Sequence, residues 1–121
     1  GRDEIRLQPS GAYAANRLGL STQVPMRVVY LTDGRSRTVQ IGKRQILLRN
    51  TTPKNMAAAG KISGLIIQAL KHLGKDQVDD TIIDQLDRRL DDSARKQLLK
   101  DIRSAPAWIA NIFRKLAQPQ K

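Results

Sequence analysis

Residues 26–50 read MRVVYLTDGRSRTVQIGKRQILLRN, and this stretch decides the fold that the sequence predicts. Apolar residues run without alternation from Val28 to Leu31, which is typical of a strand in the middle of a sheet. The pair Asp33-Gly34 favours a type I′ hairpin turn, because that turn requires residues that tolerate a positive φ. Gly42-Lys43 marks a second tight turn. We therefore expect two hairpins joining three strands, over residues 26–32, 36–41 and 44–50.

The segment before this stretch predicts another strand and a short helix. An apparent strand runs from Glu4 to Leu7. Ser10 is suited to cap a helix over residues 11–18, and Gly19 is a stop signal for it.

Residues 51–117 carry apolar positions at helical spacing. The start signals are Thr51-Thr52-Pro53, Asp76, Asp91-Asp92-Ser93 and Ser104 with Pro106, and residues 62–73 form a further apolar run that ends at Gly74. The predicted fold class is α+β, with a small, mainly antiparallel sheet followed by a layer of four or five helices. We expect residues 1–117 to form a single domain and residues 118–121 to form a tail.

Composition narrows the function further. The chain has 121 residues, no Cys, one His, and 22 Lys and Arg against 11 Asp and Glu, which gives a formal net charge of +11. The lack of Cys excludes thiol catalysis and Cys-ligated zinc within these residues, and it fits a cytoplasmic location. Every apolar run falls short of the roughly 20 residues that span a bilayer, so we expect no membrane association.

The sequence offers little for catalysis. Gly42-Lys43 is followed by Arg44, where a phosphate-binding loop requires Ser or Thr. Asp80, Asp84 and Asp87 share a helix face at 3–4 spacing and could hold Mg²⁺, as in a degenerate nuclease-like domain, although acids on solvated faces are far commoner. We expect a protein that is not an enzyme, with no catalytic residues, no metal and no cofactor.

The excess positive charge is uneven. Residues 1–60 carry 10 basic and 3 acidic residues, whereas seven of the eight later acids lie in the segment from Asp76 to Asp92. Two interpretations fit the basic residues of the predicted hairpins: they follow a phosphate backbone, or they protect sheet edges from aggregation. The candidate residues for binding nucleic acid or an acidic partner are Arg27, Arg35, Arg37, Lys43, Arg44 and Arg49.

Several longer runs resemble a known family. Residues 5–16 (IRLQPSGAYAAN), 18–25 (LGLSTQVP), 29–34 (VYLTDG), 64–74 and 105–109 are similar to the C-terminal domain of the AbiE-type antitoxins of bacterial type IV toxin–antitoxin and abortive-infection systems. Within these runs, Ser10, Tyr13 and Asp33 match the motif, and we interpret them as a helix cap, a packed aromatic residue and a turn residue.

The resemblance implies a transcriptional regulator that neutralises a nucleotidyltransferase-like toxin, with or without a stable complex. Such antitoxins bind operator DNA mainly through an N-terminal winged-helix domain. The chain begins where that domain would end, so we expect it to be the second domain of a longer protein, assisting repression through its cations. The alternative function is a sequence-independent nucleic-acid-binding module. The sequence leaves open the oligomeric state and whether the acidic segment 76–92 is an interface.

Overall fold

The computed structural model describes residues 5–118 and shows a four-stranded sheet in the first half, with one helix between its first two strands and four helices after it, which confirms the α+β prediction. The strands are β1 (Leu7–Ser10), β2 (Arg27–Thr32), β3 (Arg37–Ile41) and β4 (Arg44–Asn50). The helices are α1 (Gly11–Arg17), α2 (Ile62–Leu73), α3 (Asp80–Asp87), α4 (Asp92–Lys100) and α5 (Ala107–Leu116). Short 3₁₀ turns occupy Lys54–Met56, Lys75–Gln77 and Ile102–Ser104.

The sheet has the strand order β1-β2-β4-β3. β1 pairs with β2 and β3 pairs with β4 in antiparallel fashion, whereas β2 and β4 are parallel. The sheet is therefore mainly antiparallel, and β2 lies in its interior, as predicted.

The predicted hairpin at Asp33-Gly34 is wrong, because β2 and β3 are not neighbours. Gly34 does not have the positive φ of a type I′ turn. Its carbonyl oxygen instead accepts a hydrogen bond of 2.6 Å from Nδ2 of Asn50, at the end of β4. The physical reason lies in the side chains: β4 brings Ile46, Leu47 and Leu48 beside the apolar β2, while all five residues of β3 are exposed. The more apolar strand takes the interior position.

The second predicted turn is confirmed. Ile41 faces Arg44 across a loop of two residues, Gly42 and Lys43, and Gly42 has a φ of +58°. Only the first loop residue has a positive φ, which is the pattern of a type II′ turn and favours glycine there. β3 and β4 therefore form the single hairpin of the basic region in the described chain.

The first helix begins where the sequence predicts, but its cap differs. Ser10 has the extended backbone of a cap residue and makes no capping hydrogen bond; its hydroxyl donates to Oε1 of Gln68 in α2, at 3.2 Å. The predicted strand over residues 4–7 is displaced to Leu7–Ser10, and Glu4 lies outside the described residues, as do residues 119–121 of the predicted tail.

The later helices match the predicted start signals in part. The bounds of α2 agree with the apolar run that ends at Gly74. Asp91 caps α4 as expected, its carboxylate accepting a hydrogen bond of 2.7 Å from the amide of Ala94. The predicted cap at Asp76 is wrong: Asp79 caps α3 by accepting from the amide of Ile82 at 3.0 Å, while Asp76 lies in a preceding 3₁₀ turn.

The main hydrophobic core is formed by the helices. Its fully buried large side chains come from α2 to α5: Ile66, Leu70, Leu86, Leu98, Ile109, Phe113 and Leu116. The sheet joins this core on one side, where α1 contacts β1 and β2 and α2 contacts β1. β3 is the edge strand and is exposed along its whole length, whereas β4 lies inside the sheet and buries Leu48.

The contact between α2 and β1 depends on Gly64. A Cβ atom at this position would collide with the carbonyl oxygen of Ala58 and with the side-chain amide of Gln8. Both obstacles lie in closely packed surroundings, since Gln8 and Ala58 are almost completely buried. The absence of a side chain at Gly64 therefore lets α2 lie directly against the sheet.

Arg95 joins the three C-terminal helices. Its Nη1 donates to Oδ1 of Asp87 at 2.7 Å and to the carbonyl oxygen of Leu116 at 2.6 Å. Its Nη2 donates to the carbonyl oxygens of Asp87 and Leu90, at 3.0 and 3.1 Å. One guanidinium of α4 thus satisfies carbonyl groups at or just beyond the C-terminal ends of α3 and α5, where helices leave such groups unpaired.

Candidate functional site

The six predicted cations lie on or beside the sheet, and all of them are exposed. Within residues 5–118, none of them forms an ion pair. The ion pairs in that range involve three other basic residues, Arg6, Lys61 and Arg95. Their positions are the start of β2 for Arg27, the β2–β3 connection for Arg35, and the β3–β4 hairpin for Arg37, Lys43, Arg44 and Arg49.

The sheet register places five of these cations in two groups, and Arg35 lies outside the strands in the β2–β3 connection. Arg27 pairs with Gln45, which places it beside Lys43 and Arg44 at one end of the sheet. Arg37 pairs with Leu48 and is therefore close to Arg49, at the other end. At 3.2–3.4 Å per residue, the five steps of β4 from Arg44 to Arg49 separate the two groups by about 16 Å.

The cations also divide between the two faces of the sheet. Side chains alternate along a strand, so Arg37 and Arg44 share one face, whereas Arg27 and Arg49 share the other. The β3–β4 hairpin therefore carries cations on both faces of the sheet: Arg37 and Arg44 on one face and Arg49 on the other. The prediction of two basic hairpins is replaced by one hairpin with cations along both of its sides.

Asp33 is the single acidic residue of the sequence between residues 5 and 60. Its carboxylate accepts hydrogen bonds of 2.9 Å from the amide and from Nε of Arg6. These bonds hold the pKa of Asp33 below its usual range, because they favour the charged carboxylate. Asp33 is therefore paired with Arg6, and within the described residues it neutralises none of the six cations. Its predicted role as a hairpin residue is replaced by this contact.

Sequence reasoning missed an aromatic pair next to the basic region. The rings of Tyr13 and Tyr30 lie 5.6 Å apart and are tilted by 54°. The guanidinium of Arg17, one turn after Tyr13 in α1, lies 5.7 Å from the Tyr13 ring centroid. The spacing of Tyr13 and Arg17 is visible in the sequence, but the approach of Tyr30 depends on how β2 packs beside α1. The expectation that Tyr13 is a packed aromatic residue agrees with this contact.

The two phenol groups influence each other. A hydrogen bond with Tyr30, and next the neighbouring Arg17, lower the pKa of Tyr13 despite its partial burial. Burial is the main cause that raises the pKa of Tyr30, and the bond with Tyr13 adds to it.

Three of the seven acids in the segment 76–92 have local structural roles. Asp79 and Asp91 cap helices, and Asp87 binds Arg95. Within residues 5–118, no three His, Cys, Asp or Glu side chains are grouped so that they could hold a metal ion. None of the helices in that range is sufficiently long and apolar to cross a membrane.

Comparison with known proteins identifies a family and no closer relative. No curated protein and no solved structure matches the chain. One family matches residues 1–98, which include the whole sheet, α1 to α3 and most of α4. The chain therefore belongs to the family described as "Family of unknown function (DUF6088)".

Proposed function

We propose that this chain is a non-enzymatic antitoxin and regulator domain that contacts the phosphate backbone of DNA through its basic sheet. The observation that carries the proposal is the set of six exposed cations that have no carboxylate partner in the described chain. Attraction to a polyanion would compensate the mutual repulsion of these cations.

The shape of the basic region suits this role. The exposed part of the basic region is β3 and the turn that joins it to β4, since β3 is the edge strand and Lys43 and Arg44 are exposed at the turn. β4 is paired on both sides, so a duplex would meet this edge of the four-stranded sheet and not a free two-stranded ribbon. The two groups of cations, about 16 Å apart along β4, would contact phosphates at two points along the backbone.

The basic sheet is suited to orient the protein on DNA and to raise its affinity for DNA, and less suited to recognise a base sequence. Phosphate contacts by Arg and Lys fix a protein on a duplex without reading the bases. This fits an auxiliary role beside a winged-helix domain, and it also fits the second candidate, a module that binds nucleic acid without sequence preference. In either case the protein would act in the cytoplasm.

Protection of the sheet edge remains the competing explanation for the hairpin cations. β3 is an edge strand, and charged residues discourage such a strand from pairing with another chain. This explanation assigns Arg37 a role, but it does not require Arg27 or Arg49, since both lie on strands that are already paired on both sides.

A salt titration with duplex DNA tests the proposed contact. If about four to six phosphates are neutralised, the logarithm of the association constant should fall against the logarithm of salt concentration with a slope of about −4 to −5. Fluorescence anisotropy of a labelled duplex of random sequence measures this slope for the 121-residue chain. If the hairpin cations only protect the sheet edge, binding at low salt reflects the net charge of +11 alone and does not depend on which exposed cations are reversed.

The toxin-neutralising role rests on the resemblance to AbiE-type antitoxins and has its own test. Co-expression of the protein that contains this chain with a nucleotidyltransferase-like toxin from the same genome is expected to restore growth, and deletion of residues 1–121 is expected to abolish the rescue. Unchanged toxicity with the intact protein, or full rescue without the domain, would contradict the role.

A further inference from the structure

A groove opens between β1, β2, α1 and the beginning of α2. Its volume is about 370 Å³, and its lining includes Gln8, Pro9, Arg17, Tyr30, Lys61 and Ile62. Pockets that hold small ligands usually measure about 300–1,000 Å³, so this groove is suited to a compound of nucleotide size. It lies beside the tyrosine pair and outside the β3–β4 hairpin.

Two cations of the groove come from different parts of the chain. Arg17 belongs to α1, is exposed, and forms no ion pair with any described carboxylate. Lys61 directly precedes α2; its Nζ lies 3.9 Å from Oδ1 of Asp101, and 47% of its side chain is exposed. The contact of Arg17 with the Tyr13 ring orients a planar guanidinium, which suits two parallel hydrogen bonds to a phosphate.

The rest of the lining is aromatic and apolar. Tyr30 is half-buried, and Pro9, Ile62 and Leu65 line the groove with it. The Tyr13 ring packs against the Tyr30 ring, with the two centroids 5.6 Å apart. A nucleobase has a planar surface that stacks on such side chains, and the energy of stacking depends little on which base is bound.

We propose that this groove binds a nucleotide, with the base against Tyr30 and the apolar wall and the phosphate between Arg17 and Lys61. The site offers cations for a phosphate and an aromatic, apolar surface for a base. A nucleotide uses both of these features, whereas inorganic phosphate and an uncharged nucleoside each use one. The nucleotide is either free or part of a single strand, because both sources present a base with a phosphate. The proposal goes beyond duplex contact, which uses the hairpin cations.

Isothermal titration of the 121-residue chain with adenosine monophosphate, adenosine and inorganic phosphate tests this site. Adenosine monophosphate should bind at least about tenfold more tightly than either fragment, since stacking and phosphate contacts act together. A short single strand of deoxyadenylate distinguishes the sources: tighter binding per strand than per mononucleotide indicates a polymer, and equal binding indicates the free nucleotide.

Substitutions of residues that line the groove test whether the nucleotide binds there. Arg17→Gln and Tyr30→Leu should each weaken nucleotide binding by about fivefold or more, whereas Tyr30→Phe keeps the ring and should retain the affinity. Lys75→Gln removes an exposed cation elsewhere and serves as the matched control. Circular dichroism verifies that each variant is folded, and Arg17→Gln remains decisive if Tyr30→Leu unfolds. Absence of nucleotide binding, or binding that Arg17→Gln leaves unchanged, would overturn the proposal.

Discussion

Replacing Arg95 with alanine is expected to lower the free energy of unfolding by about 2–4 kcal/mol, because hydrogen bonds to a charged group contribute about 1.5–3 kcal/mol each and their loss leaves partners unpaired. The arginine side chain is only 13% exposed, and it donates four hydrogen bonds of 2.6–3.1 Å to α3, α5 and the loop after α3. The estimate lies below the sum of these bonds because Asp87 is 24% exposed and regains water.

Thermal unfolding followed by circular dichroism measures this effect, which should lower the midpoint by about 10 °C in a domain of this size. Lys96→Ala is the matched control, since Lys96 is the next residue of α4 and is exposed; it should change the free energy by less than about 0.5 kcal/mol. Arg95→Lys should retain part of the stability, because an ammonium lacks the planar fork of the guanidinium. Equal midpoints for Arg95→Ala and Lys96→Ala would contradict the assigned role.

Local signals in the sequence predict the helices well and the strand order poorly. The run from Ile62 to Leu73 contains its own periodicity and its own terminator, Gly74, so the bounds of α2 follow from the sequence alone. The same applies to the cap at Asp91. At Asp76 and Asp79 two suitable caps stand three residues apart, and packing of the following apolar stripe decides between them.

The order of β3 and β4 could not be read from turn residues. Asp33-Gly34 is a strong local signal for a hairpin, and it is overridden because β4 offers β2 a more apolar neighbour than β3 does. The hydrogen bonds of Asn50 to Gly34 and Ser36 then hold the connection in place across 16 and 14 residues of sequence. Such contacts between distant residues lie outside what a turn motif encodes.

In the candidate site, too, some features could be predicted from the sequence and others depended on contacts between distant residues. The basic residues and their exposure follow from composition, because cations are rarely buried without a partner. Their arrangement in two groups, on both faces of the sheet, could be determined only from the sheet register. Tyr13 and Tyr30 are 17 positions apart in the sequence, so their pairing was not predictable, and neither was the role of Arg95 between three helices.

Reversing four cations of the basic sheet is expected to weaken duplex binding by at least about 100-fold at low salt, because each lost phosphate contact also removes released counterions. The variant carries Arg35→Glu, Arg37→Glu, Lys43→Glu and Arg44→Glu. These side chains are exposed and form no ion pair with a described residue, so the fold should tolerate the changes.

A control with the same charge separates a local contact from general attraction. The substitutions Lys71→Glu, Lys75→Glu, Arg88→Glu and Lys96→Glu reverse four exposed cations of the helical half. Both variants lower the formal net charge from +11 by the same eight charges. If net charge alone attracts the DNA, the two variants bind equally; if the sheet contacts the phosphates, they differ.

The ratio of the dissociation constants of these two variants for one duplex, measured in one buffer of low ionic strength, tests the central claim most directly. Contact through the basic sheet predicts that the sheet variant binds at least about tenfold more weakly than the helix variant, since only the former loses direct phosphate contacts. Equal affinities, or weaker binding by the helix variant, would contradict the assignment of the sheet as the nucleic-acid surface.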